Sequence, residues 1–127
     1  MEYDADYIVI GAGSAGCVVT DRLSERGHSV ILLEAGPKDV HPMVHIPAGV
    51  LHLLSNPRVN WNYSSEPEES SGNRRIHWPR GRVLGGSSSI NGQVWFRGIP
   101  EDFDDWERLG NKGWSYKDVL EFFRKSE

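Results

Sequence analysis

Three glycines spaced as GxGxxG are the first residues whose pattern predicts chemistry. Gly11, Gly13 and Gly16 lie in the run GAGSAG, directly after a short apolar stretch. Such a turn lets the backbone approach a pyrophosphate, and the helix start that follows, here Ser14 and Ala15, offers free N–H groups and a positive dipole end to the anion. The spacing alone is common, but its place between a strand and a helix predicts dinucleotide binding.

Glu34 is the acidic residue that should complete this site. It ends the apolar run Val30 to Leu33, at the tip of the next predicted strand, and Ala35 follows it. Its carboxylate would accept hydrogen bonds from the ribose hydroxyls, and its charge would repel the 2′-phosphate of NADP. FAD and NAD therefore remain as candidate ligands. The alternative is a glycine turn that binds nothing, with Glu34 simply solvated.

A second candidate binding segment runs from Pro79 to Gly92, in the sequence PRGRVLGGSSSING. Its glycine pair and serine triplet predict neither a helix nor a strand. Small residues at positions 85 to 89 would let a planar ring system approach main-chain N–H groups closely, and Asn91 can both donate and accept hydrogen bonds. The alternative is a flexible Gly/Ser linker, although linkers rarely carry Val-Leu before the glycines.

The elements that must position the first site form one βαβ unit, residues 6–34. The apolar run Tyr7 to Ile10 predicts a strand buried on both faces of a parallel sheet, and Val30 to Leu33 predicts a second. Between them, apolar residues at helical spacing predict a helix from Ser14 to Arg26, closed by Gly27. With the usual right-handed crossover, this unit predicts a Rossmann-like α/β fold.

The remaining residues are expected to be less regular. Residues 35–80 carry six of the seven prolines and predict a long loop with short local elements. Two amphipathic helices are expected in residues 102–127, the first capped by Asp102 and the second by Ser115. Only two sheet strands are predicted, and the last helix has no stop signal. We therefore expect part of a longer polypeptide, or of a nicked enzyme whose other piece is a separate chain.

Composition excludes several classes of function. The chain has 127 residues, 38% hydrophobic and 25% charged, and a net charge of -4, which favours neither nucleic acid nor an anionic membrane as a partner. No apolar run is long enough to span a bilayer, and the acidic start predicts no secretory signal, so a cytoplasmic location is expected. A single cysteine, Cys17, and five scattered histidines predict no disulfide and no metal site.

These segments together resemble the glucose-methanol-choline oxidoreductases, a family of FAD-dependent alcohol oxidases and dehydrogenases, and in particular its choline-dehydrogenase-like members. The resemblance is carried by residues 6–16, 33–36, 61–67, 80–91, 97–98 and 102–106, and so covers nearly the whole chain. It implies an FAD-binding fold that forms the N-terminal part of a larger two-domain flavoenzyme, with the substrate domain absent from residues 1–127. Residues 80–94 would then be the flavin-binding loop.

The resemblance also assigns roles to individual residues. The run from Gly11 to Gly16 would hold the pyrophosphate, Glu34 the ribose, and Trp61 would lie near the cofactor. The other residues implied in cofactor binding are Ala35, Arg82, Val83, Leu84, Gly85, Gly86, Ser87, Asn91, Gly92, Gln93 and Val94. Some relatives carry, at the position of Ile90, a histidine that is covalently joined to the flavin. Because isoleucine cannot form that bond, FAD is expected to be non-covalent here.

The implied reaction is oxidation of a small-molecule alcohol, with a hydride passing to flavin N5 and a histidine base taking the hydroxyl proton. That histidine belongs to the family's C-terminal region, and no residue here matches it. His45, His52 and His77 are more simply loop residues, so no catalytic residue is predicted. Three alternatives stay open: a hydroxynitrile lyase that retains FAD without redox chemistry, an inactive cofactor-binding module, and a plain NAD enzyme, which would leave residues 80–91 unexplained.

Overall fold

The computed structural model describes residues 4–127. The chain divides into two compact units, residues up to 93 and residues 94–127. The acidic start, from which no secretory signal is predicted, lies partly in residues 1–3, outside the described part of the chain.

The first unit begins with the predicted βαβ arrangement. Strand β1, Tyr7–Ile10, is followed by helix α1, Ser14–Glu25, and by strand β2, Val30–Leu33. The two strands pair in parallel, from Tyr7 opposite Val30 to Ile10 opposite Leu33. Gly27, with φ +85°, follows the helix C-cap Arg26, where a left-handed residue ends a helix without strain. The Rossmann-like fold class is confirmed.

Within residues 4–127 the two strands are covered on one face only, which differs from the burial on both faces that their sequences predict. Val9 faces α1, because its side chain lies 3.5 Å from the position a Cβ on Gly16 would take. Ile8 and Ile10 alternate onto the other face, where they are 62% and 85% exposed. A single helix covers a single face of a two-stranded sheet, so strand periodicity of two leaves the other face open.

Residues 35–80 form the expected loop with short elements. Two 3-10 turns, Pro42–His45 and Pro47–Gly49, lead into helix α2, Val50–Leu53. A short antiparallel hairpin then follows. Its strands are β3, Tyr63–Ser64, and β4, His77–Trp78, and a third 3-10 turn, Glu69–Ser71, lies between them. Trp61 and Tyr63 are thereby brought alongside residues 78–80.

A small hydrophobic core holds this region together. It consists of Leu53, Val59, Val83 and Ile90, with Met43 and Val44 packed against it. Asn60, only 2% exposed, lies next to this core and bonds to three backbone groups. Its amide donates to the carbonyl of Leu54 at 2.6 Å, and its Oδ1 accepts from the N–H groups of Asn62 and Arg80. The buried amide therefore fixes residues 54–62 against residue 80.

The segment predicted to contain no regular element includes a 3-10 helix, Gly86–Ser89. Serine side chains support it, because the hydroxyl of Ser88 donates to the carbonyl of Gly85 at 2.5 Å and that of Ser89 to the carbonyl of Leu84 at 2.7 Å. Local side chain to backbone bonds of this kind stabilise tight turns. The sequence prediction treated the serine triplet as irregular and missed this possibility.

The second unit contains two helices. Helix α3 is Pro100–Arg108 and helix α4 is Tyr116–Ser126. Ser115 caps α4 as predicted, accepting from the N–H of residue 118. Asp102 does not cap α3, because the helix begins two residues earlier at a proline, which needs no N–H partner in the first turn. The ring of Phe103 packs against the aromatic side chains at 106, 116 and 123.

The helices are short. α1, with 12 residues, is the longest in residues 4–127. In that part of the chain, none is both long and apolar enough to cross a bilayer.

Asp6 gives the start of β1 a pH-dependent contact. Its carboxylate accepts from the backbone N–H and the hydroxyl of Ser29, at 2.8 and 2.9 Å, and these bonds lower the pKa of Asp6 below its usual 3.8. At pH values above the ordinary pKa of an aspartate, ionised Asp6 therefore stabilises the fold, and this stabilisation is lost as the pH falls through the lowered pKa.

We expect Asp6→Asn to lower Tm slightly at neutral pH and to have no effect in strong acid. The exposed Asp4→Asn should change Tm at neither pH; equal effects of the two variants would contradict the assignment.

Candidate functional site

A cavity of about 620 Å³ opens where β1 and β2 end. It is lined by Ile10, Gly11, Gly13, Leu33, Glu34, Ala35, Trp61, Tyr63, Arg80, Gly81, Gly86 and Ser87. The carboxyl ends of parallel strands are where open α/β sheets bind ligands. Every lining residue belongs to the first unit.

The glycine turn forms the floor of this cavity. Gly11 has φ +94°, and its N–H donates to the carbonyl of Leu33 at 2.7 Å, which ties the end of β1 to the end of β2. A Cβ on Gly16 would lie 1.9 Å from the carbonyl oxygen of Gly11, so only glycine lets α1 start this close to the strand. Gly13 is the N-cap of α1 and has no side chain to cap it. The first turn of the helix, directly after the cavity-lining Gly13, therefore has no side-chain cap for its N–H groups.

Glu34 is held in place by two backbone N–H groups. Its Oε2 accepts from Ala12 at 2.8 Å and its Oε1 from Gly36 at 2.9 Å. A carboxylate oxygen can accept a second hydrogen bond, so both oxygens keep capacity for a ligand hydroxyl. The side chain is thus fixed at the cavity wall before any ligand binds, with its charge stabilised by charge-assisted bonds.

The loop that carries the second motif docks directly onto the glycine turn. The N–H of Gly85 donates to the carbonyl of Ala12 at 2.8 Å, and a Cβ on Gly86 would lie 2.8 Å from the Cα of Gly13. The N–H of Gly86 donates to the carbonyl of Val83 at 2.7 Å. The expectation that the main-chain N–H groups of residues 85–89 are available to a ring system is therefore wrong for Gly85 and Gly86. The glycine pair instead brings the two motifs into backbone contact.

An aromatic pair forms one wall of the cavity. The rings of Trp61 and Tyr63 are nearly parallel, with centroids 5.9 Å apart and planes 3° apart. The guanidinium carbon of Arg82 lies 5.3 Å from the centroid of Trp61, a cation–π distance. Trp61 remains 43% exposed, so part of its side chain is available to a ligand.

The cavity brings together seven of the residues implied by the sequence, Gly11, Gly13, Glu34, Ala35, Trp61, Gly86 and Ser87. Those that do not line it are Ser14, Ala15, Gly16, Arg82, Val83, Leu84, Gly85, Asn91, Gly92 and Gln93. Val83 is fully buried in the core, so its side chain offers no exposed surface to a ligand. Asn91 accepts from the N–H of Gln93 at 2.8 Å, within its own turn. Val94 lies in the second unit.

Five further residues line the cavity. Ile10, Leu33 and Tyr63 are not among the predicted site residues, and Arg80 and Gly81 lie in the predicted flavin-binding loop, residues 80–94, without an individual role. Two signals could have indicated them. Tyr63 follows Trp61 by two residues, the spacing that places side chains on one face of a strand. Arg80 and Gly81 lie within the second motif itself, whose predicted bounds already include them.

Charge in the cavity is balanced by one acid and one base. Glu34 and Arg80 are the only ionisable carboxylate and guanidinium among its lining residues in the described part of the chain. The guanidinium of Arg80 lies 5.1 Å from the ring centroid of Trp78, and its Nη1 donates to the carbonyl of Pro79. The start of α1, the glycine turn and Arg80 together suit the charge of a pyrophosphate. The fixed carboxylate of Glu34 suits the two hydroxyl groups of a ribose. The residues present therefore fit a dinucleotide.

Comparison of the sequence with known proteins identifies relatives that are flavoprotein oxidoreductases. A family model described as GMC oxidoreductase matches residues 5–127. The oxygen-dependent choline dehydrogenase of Sinorhizobium fredii is 56% identical over 124 residues, which are 97% of this chain and 23% of the relative. The same enzyme of Vibrio vulnificus is 49% identical over 128 residues, covering 100% of this chain and 23% of the relative. The chain thus spans about a quarter of the length of these curated relatives.

Two solved structures share the fold. Pyridoxine 4-oxidase of Mesorbium loti superposes with a TM-score of 0.85 at 35% identity, covering 94% of this chain and 24% of that one. A formate oxidase of Aspergillus oryzae, from work on the modification of its FAD, gives a TM-score of 0.80 at 31% identity and covers 91% of this chain and 21% of that one.

Proposed function

Because this chain belongs to the GMC oxidoreductase family, we propose that its first unit binds FAD without a covalent bond, as the cofactor-binding part of an alcohol-oxidising flavoenzyme. The observation that supports this most directly is the convergence of both sequence motifs on one cavity. The glycine turn, Glu34, Trp61 and the glycine-serine loop all line the same space, although residues 34 and 86 are far apart in sequence.

Each part of the cavity would hold a different part of the cofactor. The N-terminus of α1 and the floor at Gly11 and Gly13 would take the pyrophosphate, with Arg80 supplying a positive charge. Glu34 would accept from the ribose hydroxyls. The loop at Gly86 and Ser87 would lie near the flavin. The roles of residues 91–94 beside the flavin remain predictions, since those in the first unit do not line the cavity.

Ile90 supports the non-covalent mode of binding. Its side chain is 3% exposed and belongs to the core with Val59 and Val83, and it has no atom that could bond to a flavin. We expect acid or heat denaturation of the yellow protein to release all of its chromophore into the supernatant. Colour that stays with the precipitated polypeptide would contradict this.

The reaction we propose is oxidation of a primary alcohol to an aldehyde. Bound FAD supplies a two-electron acceptor for the hydride that leaves the alcohol carbon. The residues described here would bind and orient that cofactor, and the base that takes the hydroxyl proton would lie in a part of the protein outside residues 1–127. The length of the relatives supports this division, and their names make choline the first substrate to test. The cytoplasmic location stays a prediction.

Spectroscopy of the full-length protein tests this function. We expect flavin absorption bands, which an NAD enzyme lacks, and their bleaching when choline or another primary alcohol is added without oxygen. The same experiment with a tertiary alcohol such as tert-butanol, whose alcohol carbon carries no hydrogen to leave as hydride, should leave the bands unchanged. A flavin that stays oxidised with every alcohol while a cyanohydrin is cleaved would contradict the oxidation and indicate a lyase.

A further inference from the structure

A second cavity in the first unit, of about 470 Å³, has a different chemical character from the first. It is lined by Pro37, Lys38, Val40, His41, Arg58, Val59 and Arg82, none of which lines the candidate cofactor cavity. Three of these side chains are cationic at neutral pH, and a fourth is an imidazole. The other three are apolar, so the cavity combines positive charge with a small apolar wall.

In the described part of the chain, no carboxylate lines this cavity or forms an ion pair with its cationic side chains. No aspartate or glutamate is among the lining residues, and Lys38, Arg58 and Arg82 take part in none of the ion pairs found in residues 4–127. Like charges placed around one concavity repel each other, and concave walls focus their field. An anion inside the cavity would relieve that repulsion.

Two of the four side chains are already fixed in position. The Nη2 of Arg82 donates to the carbonyl of Pro57 at 3.1 Å, and its guanidinium lies over Trp61. The Nε of Arg82 is buried without an acceptor, so the guanidinium is incompletely compensated. The Nδ1 of His41 accepts from the N–H of Met43 at 3.2 Å, which leaves Nε2 as the donor of the neutral ring.

We propose that this cavity is a binding site for a small oxyanion, a phosphate or carboxylate group carried by a molecule with a short apolar part. The fixed guanidinium of Arg82 provides positive charge, and Nε2 of His41 provides a hydrogen-bond donor. The exposed side chains of Lys38 and Arg58 lie at the rim of the cavity, where they can contact the anion. Guanidinium and ammonium groups are the side chains that bind such oxyanions most strongly. Because Arg82 also contacts Trp61, the site adjoins the wall of the cofactor cavity.

Calorimetric titration of the full-length, flavin-loaded protein with inorganic phosphate tests this proposal. Bound flavin occupies the candidate cofactor cavity, so inorganic phosphate cannot bind at the glycine turn instead. At constant ionic strength we expect one saturable site per chain, and at least a tenfold weaker Kd in Lys38→Gln/Arg58→Gln. The double variant Lys117→Gln/Arg124→Gln, which removes the same charge from exposed positions on α4, should bind phosphate as the unmodified protein does.

A parallel titration with malonate separates the two sources of the anion. Tighter binding of phosphate indicates a phosphorylated ligand, and tighter binding of malonate a carboxylate, and either result supports the site. If the double variant loses its flavin, the single variants Lys38→Gln and Arg58→Gln replace it, each with a several-fold weaker Kd expected. The proposal is overturned if neither anion saturates, or if the cavity and control variants have equal Kd values for phosphate.

Discussion

Replacement of Gly16 by alanine should strongly weaken flavin binding by the protein. The added Cβ would lie 1.9 Å from the carbonyl oxygen of Gly11 and 3.1 Å from its carbonyl carbon. Both are backbone atoms, so no side chain can rotate away, and α1 must move off the glycine turn. Overpacking of this kind costs about 1–3 kcal/mol or more. Since the helix start holds the pyrophosphate in our proposal, we expect at least about a 100-fold loss of FAD affinity.

The measurement is the flavin content of purified protein, together with FAD affinity by fluorescence quenching and Tm with and without added FAD. Ser24→Ala is the control, because Ser24 is an exposed residue near the other end of the same helix and has no proposed role in cofactor binding. It should keep its flavin and its Tm. Gly16→Ala protein that binds FAD as tightly as the control would show that the helix start does not hold the cofactor.

The part of this fold that sequence could predict is the part set by neighbouring residues. The strands, α1 and the glycine turn depend on apolar periodicity, on a left-handed stop at Gly27 and on the close packing at Gly16, all within 30 residues of one another. The cap of α4 depends on the hydroxyl of Ser115, which accepts from the N–H of Asp118 three residues later. Signals of this kind act before tertiary structure forms, so they can be recognised without it.

The part that sequence could not predict depends on distant partners. Tyr63 and Arg80 reach the cavity because a hairpin pairs Tyr63 with Trp78, and because Asn60 holds the N–H of Arg80. No local pattern specifies either pairing. Likewise, the N–H of Gly85 donates to the carbonyl of Ala12, which lies 73 positions earlier in the sequence. The same long-range docking explains why a loop predicted to offer its backbone to a ligand uses part of that backbone to join the two motifs.

Glu34→Ala is expected to have the second largest effect, because it removes two functions at once. The carboxylate accepts from the N–H of Ala12, a fully buried residue, and from the N–H of Gly36. Each hydrogen bond to a charged group contributes about 1.5–3 kcal/mol, so we expect the free energy of unfolding to fall by about 3 kcal/mol. FAD affinity should fall further, because the ribose acceptor is lost as well.

Glu34→Gln is the conservative comparison, because it retains part of both functions. Its amide oxygen can still accept one of the two N–H groups, while its NH2 would face the other donor, so we expect an intermediate loss of stability. It keeps the shape of the side chain and can still accept a bond from one ribose hydroxyl. Chemical denaturation and FAD titration of both variants give the two quantities separately, with the exposed Glu121→Gln on α4 as the control. If Glu34→Ala unfolds more readily but binds FAD unchanged, the carboxylate only supports the glycine turn, and the ribose lies elsewhere in the cavity.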